Sequence, residues 1–189
     1  MTARIDTANR ESHHLAAPRD ARDTDRTMPL ATVRTLAAGA HVGDLVFIRE
    51  PAGAPDAAAG ATGTWANRFG IVVDTSGDEP VIAAPAAFAW TKLTPLSRFV
   101  ARTDGGRIAL ARRVAAASAD AQRQVHALAE RRIDALLGSR FNLRARRDFC
   151  ARYVAEVLGA GHAPPPSALL RSGMLTLEFD GIVFDPRHP

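Results

Sequence analysis

The only cysteine of this chain, Cys150, lies in a segment whose residues could activate a thiol. The segment reads RRDFCARY over residues 146–153, and apolar residues recur through and after it at helical spacing. If a helix begins near Arg146, the thiol lies close to its first turn, where backbone N–H groups and the helix dipole stabilise an anion. Residues 98–152 also hold 13 arginines and five acidic residues. Both effects favour a thiolate, so the pattern predicts a cysteine with a lowered pKa that could act as a nucleophile.

The same spacing allows a second interpretation of Cys150. A lone cysteine on the apolar stripe of a helix is commonly a small buried hydrophobe. A thiol hydrolase also needs a proton donor and acceptor, and no histidine is placed for that role by the sequence. His162 lies beyond the predicted helix end, His126 lies on the packing face of the preceding helix, and His41 precedes the first strand. Spacing alone therefore leaves both interpretations open.

Hydropathy patterns predict the strands and helices that would position this cysteine. Short apolar runs bounded by turn residues indicate strands, and apolar residues three and four apart indicate amphipathic helices. The strands are expected at 45–48, 69–73, 81–83 and 107–110, the helices from Ser118 or Asp120 to Leu137 and through 149–158, and a terminal hairpin at 175–184. Strands and helices are segregated along the chain, which predicts an α+β fold with a largely antiparallel sheet.

Composition predicts the domain organisation and excludes several protein classes. Residues 1–30 carry five acids and five arginines with few large apolar groups, which predicts a disordered tail before a single domain over 31–189. The Pro-, Gly- and Ala-rich stretch 51–63 predicts a mobile loop. No stretch approaches the ~20 apolar residues of a membrane span. The N-terminus lacks the apolar core of a secretory signal, so a cytoplasmic protein is expected. A single cysteine excludes an intramolecular disulfide and a multi-cysteine zinc site.

Four motifs, in order along the chain, resemble one known family. They are Gly43–Ile48 (GDLVFI), Thr62–Asp74 (TGTWANRFGIVVD), Leu93–Phe99 (LTPLSRF) and Arg147–Val154 (RDFCARYV). From about Val42 to Gly181 the chain resembles the circularly permuted NlpC-type, papain-like hydrolases of the YiiX/YebB group. The resemblance implies a permuted papain-like α+β domain, in which a small, mainly antiparallel sheet packs against the helix that carries the cysteine. Permutation places the histidine strand before that helix in the sequence.

Members of that group are thought to cleave amide or ester bonds through a cysteine–histidine pair and a third polar residue. The resemblance therefore implies that Cys150 is the catalytic nucleophile, acting on small-molecule, lipid-like or peptide substrates without a cofactor or metal. The family motif Asn-His-Val-Gly-Ile-Val corresponds to residues 67–72, so Arg68 stands at the histidine position. The third residue, usually a glutamate, falls near Ala83 and Ala84. Candidate lining residues of the site are Asn67, Asp44, Trp65 and Tyr153.

The arginine at position 68 decides which function the resemblance supports. A guanidinium can stabilise a neighbouring thiolate, but it does not shuttle protons near neutrality. Because proton transfer contributes ~10²–10⁴ to the rate, we expect a thiol hydrolase or acyltransferase with impaired amide cleavage, in which attack on thioesters survives best. The alternative is a non-catalytic papain-like domain that binds an anionic or acyl ligand through Arg68 and nearby arginines. A basic nucleic-acid-associated protein ranks lowest, since the sequence has neither interleaved aromatics nor a recognition motif.

Overall fold

The structure is a computed structural model that describes residues 30–51, 65–104, 106–138 and 146–182. The predicted tail lies outside the described residues except for Leu30, and the predicted loop 51–63 lies outside them except for Pro51. Within these ranges the strands belong to a single sheet.

Six strands form one antiparallel sheet in the order β4-β3-β2-β1-β5-β6. The strands are β1 (Leu45–Ile48), β2 (Arg68–Asp74), β3 (Val81–Pro85), β4 (Thr91–Pro95), β5 (Arg107–Arg113) and β6 (Leu175–Ile182). The helices are α1 (Leu30–Gly39), α2 (Leu96–Val100), α3 (Ala119–Leu137), α4 (Phe149–Val157) and α5 (Pro166–Leu170). The observed class is therefore α+β, as the sequence predicts.

Both faces of the sheet are buried, because alternate residues of the central strands pack into two different hydrophobic cores. In β1, Leu45 and Phe47 pack on the face that carries α3 and α4, whereas Val46 and Ile48 pack on the face that carries α1 and α2. A strand that is covered on both faces reads as a continuous apolar run, which explains the LVFI sequence. The sheet therefore forms the middle layer between two layers of helices.

Helix α4 lies on the same sheet face as α3. Its buried stripe holds Phe149, Cys150, Tyr153, Val154 and Val157. On the outer side of the two helices, Arg132 of α3 forms an ion pair with Glu156 of α4. The helix that carries the cysteine thus packs against the sheet, as the resemblance implies, and also contacts the longer helix α3. No described helix combines the length and the low polarity that crossing a bilayer requires.

The structure differs from the sequence predictions at the C-terminus and at four elements, of which α2 and α5 are short helices that hydropathy did not predict. Residues 175–182 form one continuous strand paired with β5 instead of turning at Asp180-Gly181, and residues 183–184 lie outside the described ranges. The turn dipeptide stays extended because the strand already has a partner: Asp180 pairs with Ala109 and Gly181 with Ile108. Helix α1 and strand β4, which hydropathy did not predict, complete the layers at the sheet edge and on one face.

Gly70 of β2 gives a direct test of how tightly the sheet packs. A Cβ at this position would lie 2.3 Å from Cγ2 of Ile82 and 3.2 Å from Cζ of Phe99. We expect Gly70→Ala to lower the free energy of unfolding by about 1–3 kcal/mol, the usual range for overpacking a core. Chemical denaturation measures this. The matched control is Gly77→Ala, whose Cβ would meet only the carbonyl oxygen of Glu79 at 3.9 Å; an equal loss in both variants would contradict the packing described here.

Candidate functional site around Cys150

Cys150 is the second residue of α4, and the helix N-terminus is attached to the turn between β3 and β4. Asp148, which lies two residues before Cys150, has a left-handed backbone (φ 58°). Helix α4 therefore begins at Phe149 and not at the predicted Arg146. The Asp148 N–H donates to the carbonyl of Ala89 at 2.8 Å. One residue earlier, Arg147 forms a β-bridge with Trp90. These contacts place the thiol over the ends of β3 and β4.

The Cys150 thiol is buried, with 3 % of the residue exposed. Its Sγ lies 3.6 Å from the carbonyl oxygen of Ala83, to which it donates, and 3.8 Å from Oγ1 of Thr91. Burial raises the pKa of this thiol to about 12, and the Thr91 hydroxyl and the charge of Arg68 lower it by less than burial raises it. The sequence led us to expect a lowered pKa. That expectation considered only the charges and the helix N-terminus, whereas removing a thiolate from water is the larger effect here.

Arg68 begins β2 and is itself buried, with 3 % of the residue exposed. Its Nη2 donates to the carbonyl oxygen of Pro85 at 2.9 Å, and its Nη1 donates to Oε2 of Glu50 at 3.3 Å. The second carboxylate oxygen of Glu50 lies 2.9 Å from Nε of Arg102. Glu50 is 1 % exposed. Arg68 is therefore one member of an Arg–Glu–Arg cluster in which Arg68 and Glu50 are buried and Arg102 is partly exposed. Its charge acts on the Cys150 thiol from within this cluster.

Glu50 is the polar residue that the sequence analysis missed. The expected carboxylate was sought at the end of β3, where Ala83 and Ala84 stand. The carboxylate comes instead from the chain just after β1, two residues past Ile48. A signal was present in the sequence: Glu50 lies two residues after a fully apolar strand and so keeps the alternation of that strand with Ile48, and buried acids are nearly always paired.

Asn67 holds the cluster in place through the backbone. Its Oδ1 accepts from the Glu50 N–H at 2.8 Å, and its Nδ2 donates to the Glu50 carbonyl at 2.9 Å. These two bonds join the end of β1 to the start of β2. Asn67 is thus a neighbour of the Arg68 site through its contact with Glu50.

The other candidate lining residues lie elsewhere. Trp65 is half-buried under the guanidinium of Arg107, whose Cζ is 4.5 Å from the ring centroid, which is a cation–π contact with β5. Asp44 and Tyr153 lie at a separate cavity beside the later turns of α4. There the Tyr153 hydroxyl donates to the Gly43 carbonyl at 3.4 Å.

The described histidines are also remote from the thiol. His41 and His126 line the cavity that contains Asp44 and Tyr153, and His162 is exposed beyond the end of α4. Within the four described ranges, no imidazole forms a hydrogen bond with Cys150. In the same ranges no three histidine, cysteine or acidic side chains come together as metal ligands would. Chemically, the arrangement is a neutral thiol beside a cation that is already paired.

A comparison with models of protein families assigns this fold to a known family. Residues 39–171 match the model of a family described as permuted papain-like amidase enzymes, YaeF/YiiX, C92 family. The chain belongs to this family. The match covers the sheet from β1 to β5 and the helices α2 to α5, which confirms the permuted papain-like fold and places the chain in a family of amidases. No curated protein and no solved structure matched the chain.

The buried cluster predicts an unusually large effect of removing one carboxylate. We expect Glu50→Gln to lower the free energy of unfolding by about 3–5 kcal/mol, because it removes the negative partner of buried Arg68. Urea denaturation measures the loss. The matched control is Asp180→Asn, which breaks the exposed bidentate pair with Arg107 and should cost less than about 1 kcal/mol. Equal, small losses in both variants would mean that Glu50 and Arg68 do not form a buried pair.

Proposed function

We propose that this protein is a member of the permuted papain-like amidase family that binds an anionic or acyl ligand and does not hydrolyse amides near neutral pH. The observation that carries the proposal is the burial of the Cys150 thiol, which is hydrogen-bonded to the Ala83 carbonyl and the Thr91 hydroxyl. This burial raises the pKa of the thiol to about 12. Family membership supports a hydrolase ancestry. The local chemistry supports the loss of the family reaction.

Amide cleavage by a thiol requires two things that this site supplies poorly. The first is a thiolate. A thiol with a pKa of about 12 is ionised in roughly one molecule in 10⁵ at pH 7. The second is a proton for the departing amine, which a general acid with a pKa near neutrality provides. A guanidinium with its much higher pKa does not provide it.

Arg68 also differs from the role that the sequence suggested for it in ligand binding. Its guanidinium is buried and donates to Glu50 and to the Pro85 carbonyl. An anionic ligand at this position would compete with an internal carboxylate and would have to enter the core. The proposal therefore keeps ligand binding but assigns it to cations outside this cluster.

The proposal predicts an inert cysteine in the folded protein. At pH 8 we expect iodoacetamide to alkylate Cys150 about 10³-fold more slowly than free cysteine, because the reactive species is the thiolate. Mass spectrometry over time measures the rate, and the urea-unfolded chain is the control that should react like a free thiol. In the same preparation, peptide amides should show no turnover. Amide turnover that is lost in Cys150→Ser would contradict the proposal.

A second candidate function is thiol exchange with an activated thioester. It is favoured by the Arg68 charge and the Thr91 hydroxyl, which both lower the pKa of Cys150 against the effect of burial. In this reaction Sγ bonds to the acyl carbon, the carbon–sulfur bond of the thioester breaks, and the Cys150 proton passes to the departing thiolate. A thiolate leaves without a general acid, so Arg68 is no obstacle.

This candidate predicts a distinct pH dependence. The rate of a single acyl transfer from a phenyl thioester to Cys150 should rise about tenfold per pH unit up to pH 10, because the thiolate fraction rises in that way below the pKa. The assay is release of thiophenol, corrected for the Cys150→Ser variant. A rate that is independent of pH, or equal in the Ser variant, would exclude Cys150 as the acyl acceptor.

A further inference from the structure

A concave site lies beside the later turns of α4, and Cys150 is not among its lining residues. It is a cavity of about 300 Å³, which is at the lower end of the usual range for small-molecule sites. The turn before β1, the end of β5, helix α3 and helix α4 all contribute to its walls.

The lining is divided into an apolar part and a polar part. The apolar part comes mainly from the helices, as Val125 and Ala129 of α3 and Tyr153 and Val157 of α4. These four residues belong to, or pack against, the hydrophobic core. The polar part comes from the end of β5 and from the histidines. A ligand that fills the cavity would therefore contact apolar and polar groups at once.

One of the two arginines in the lining is neutralised within the protein. Arg112 forms a bidentate pair with Asp44, with Nε–Oδ1 and Nη2–Oδ2 distances of 2.9 and 2.8 Å. Glu178 lies 3.6 Å from its Nη1. Asp44 also accepts from the His41 N–H at 2.8 Å. The Asp44 carboxylate is thereby occupied, and it does not offset a second cation.

Arg113 is the second arginine that lines the cavity. In the described part of the chain its guanidinium is bonded to the side-chain oxygen of Gln122 and pairs with no carboxylate. The same Gln122 oxygen accepts from the Ala116 N–H at 2.9 Å, so the amide is fixed and holds Arg113 in place. Burial and the Asp44 charge raise the pKa of Tyr153, whereas the Arg113 charge lowers it, which indicates that the guanidinium acts on the phenol at the cavity wall. A guanidinium has five N–H donors, so Arg113 keeps several for a ligand.

We propose that this cavity binds an amphipathic anion, an acidic headgroup on a short apolar body, with the headgroup on Arg113 and the body against α3 and α4. Planar guanidinium groups match carboxylates and phosphates in geometry and charge. The apolar wall selects against small hydrophilic ions. The inference deepens the proposed binding function, on which it rests, by giving the ligand class and its position.

The test uses the full chain and hexanoate as the probe, with binding followed by NMR chemical-shift changes and calorimetry. Hexanoate should bind saturably. Hexanol, which lacks the charge, and acetate, which lacks the apolar body, should each bind at least tenfold more weakly. Hexyl phosphate distinguishes the two headgroups: tighter binding than hexanoate assigns a phosphate, and weaker binding assigns a carboxylate. The proposal would be overturned if neither amphipathic anion showed saturable binding up to about 10 mM.

Variants locate the site. Arg113→Gln should weaken hexanoate binding about 10- to 100-fold, the effect of losing a hydrogen bond to a charged group. Its matched control is Arg131→Gln, since Arg131 is exposed on α3 and does not line the cavity. Ala129→Leu should abolish hexanoate binding, because the larger side chain would fill the cavity while the charge of Arg113 is kept. Unchanged binding in Arg113→Gln, or equal loss in Arg131→Gln, would overturn the assignment.

The Cys150→Ser variant separates this inference from the proposed function. It should bind hexanoate as the wild type does, because Cys150 does not line the cavity. Loss of hexanoate binding in Cys150→Ser would place the ligand at the cysteine and overturn the inference. Amide turnover together with normal hexanoate binding would instead overturn the proposed function and leave the cavity assignment intact.

Discussion

The buried interaction between Arg68 and Glu50 is the constraint on which the candidate site depends. Both side chains are almost completely removed from water, and a buried charge is tolerated only when it is paired. The pair, together with Arg102 and the Pro85 carbonyl, connects the chain after β1, the start of β2, the end of β3 and the end of α2. Arg68 therefore cannot serve a ligand or a reaction without giving up a buried ion pair with Glu50.

The state of Cys150 follows from the same burial. A cysteine near a helix N-terminus in a positive segment has the features of an activated nucleophile. Those features act on the thiolate, however, and the thiolate must first lose its hydration. Here the Ala83 carbonyl accepts a hydrogen bond from the neutral thiol, which stabilises the protonated form. The thiol near the start of α4 is therefore kept in its protonated form.

The sequence predicted the fold well wherever a residue pattern had one structural explanation. The LVFI run of β1, the short apolar run of β5 and the three- and four-residue spacing of α3 all gave the correct element, because burial alone determines those patterns. Strand β4 was missed because TKLTP is a polar edge strand, defined by its pairing with β3 and not by hydropathy. The C-terminal hairpin was wrong because pairing with β5 overrides the local turn preference of Asp180-Gly181.

The site itself was less predictable than the fold. The motif placed Cys150 and Arg68 in neighbouring elements, and the Coulomb effect of Arg68 on the thiol agrees with that placement. Burial of the thiol and the role of Glu50 depend on how three elements meet, which spacing along one chain does not determine. For the same reason Asp44 and Tyr153, which share motifs with the site, lie at a different cavity.

The most direct test of the neutral-thiol claim is the ultraviolet absorbance of the thiolate in the folded protein, measured as the difference between wild type and Cys150→Ser across pH. Because Cys150 is the only cysteine, the difference reports this one group. The account predicts no thiolate signal through pH 10 and a midpoint of about 12, or ionisation only as the protein unfolds. A midpoint at or below that of a free thiol, about 8.5, in the folded protein would contradict it.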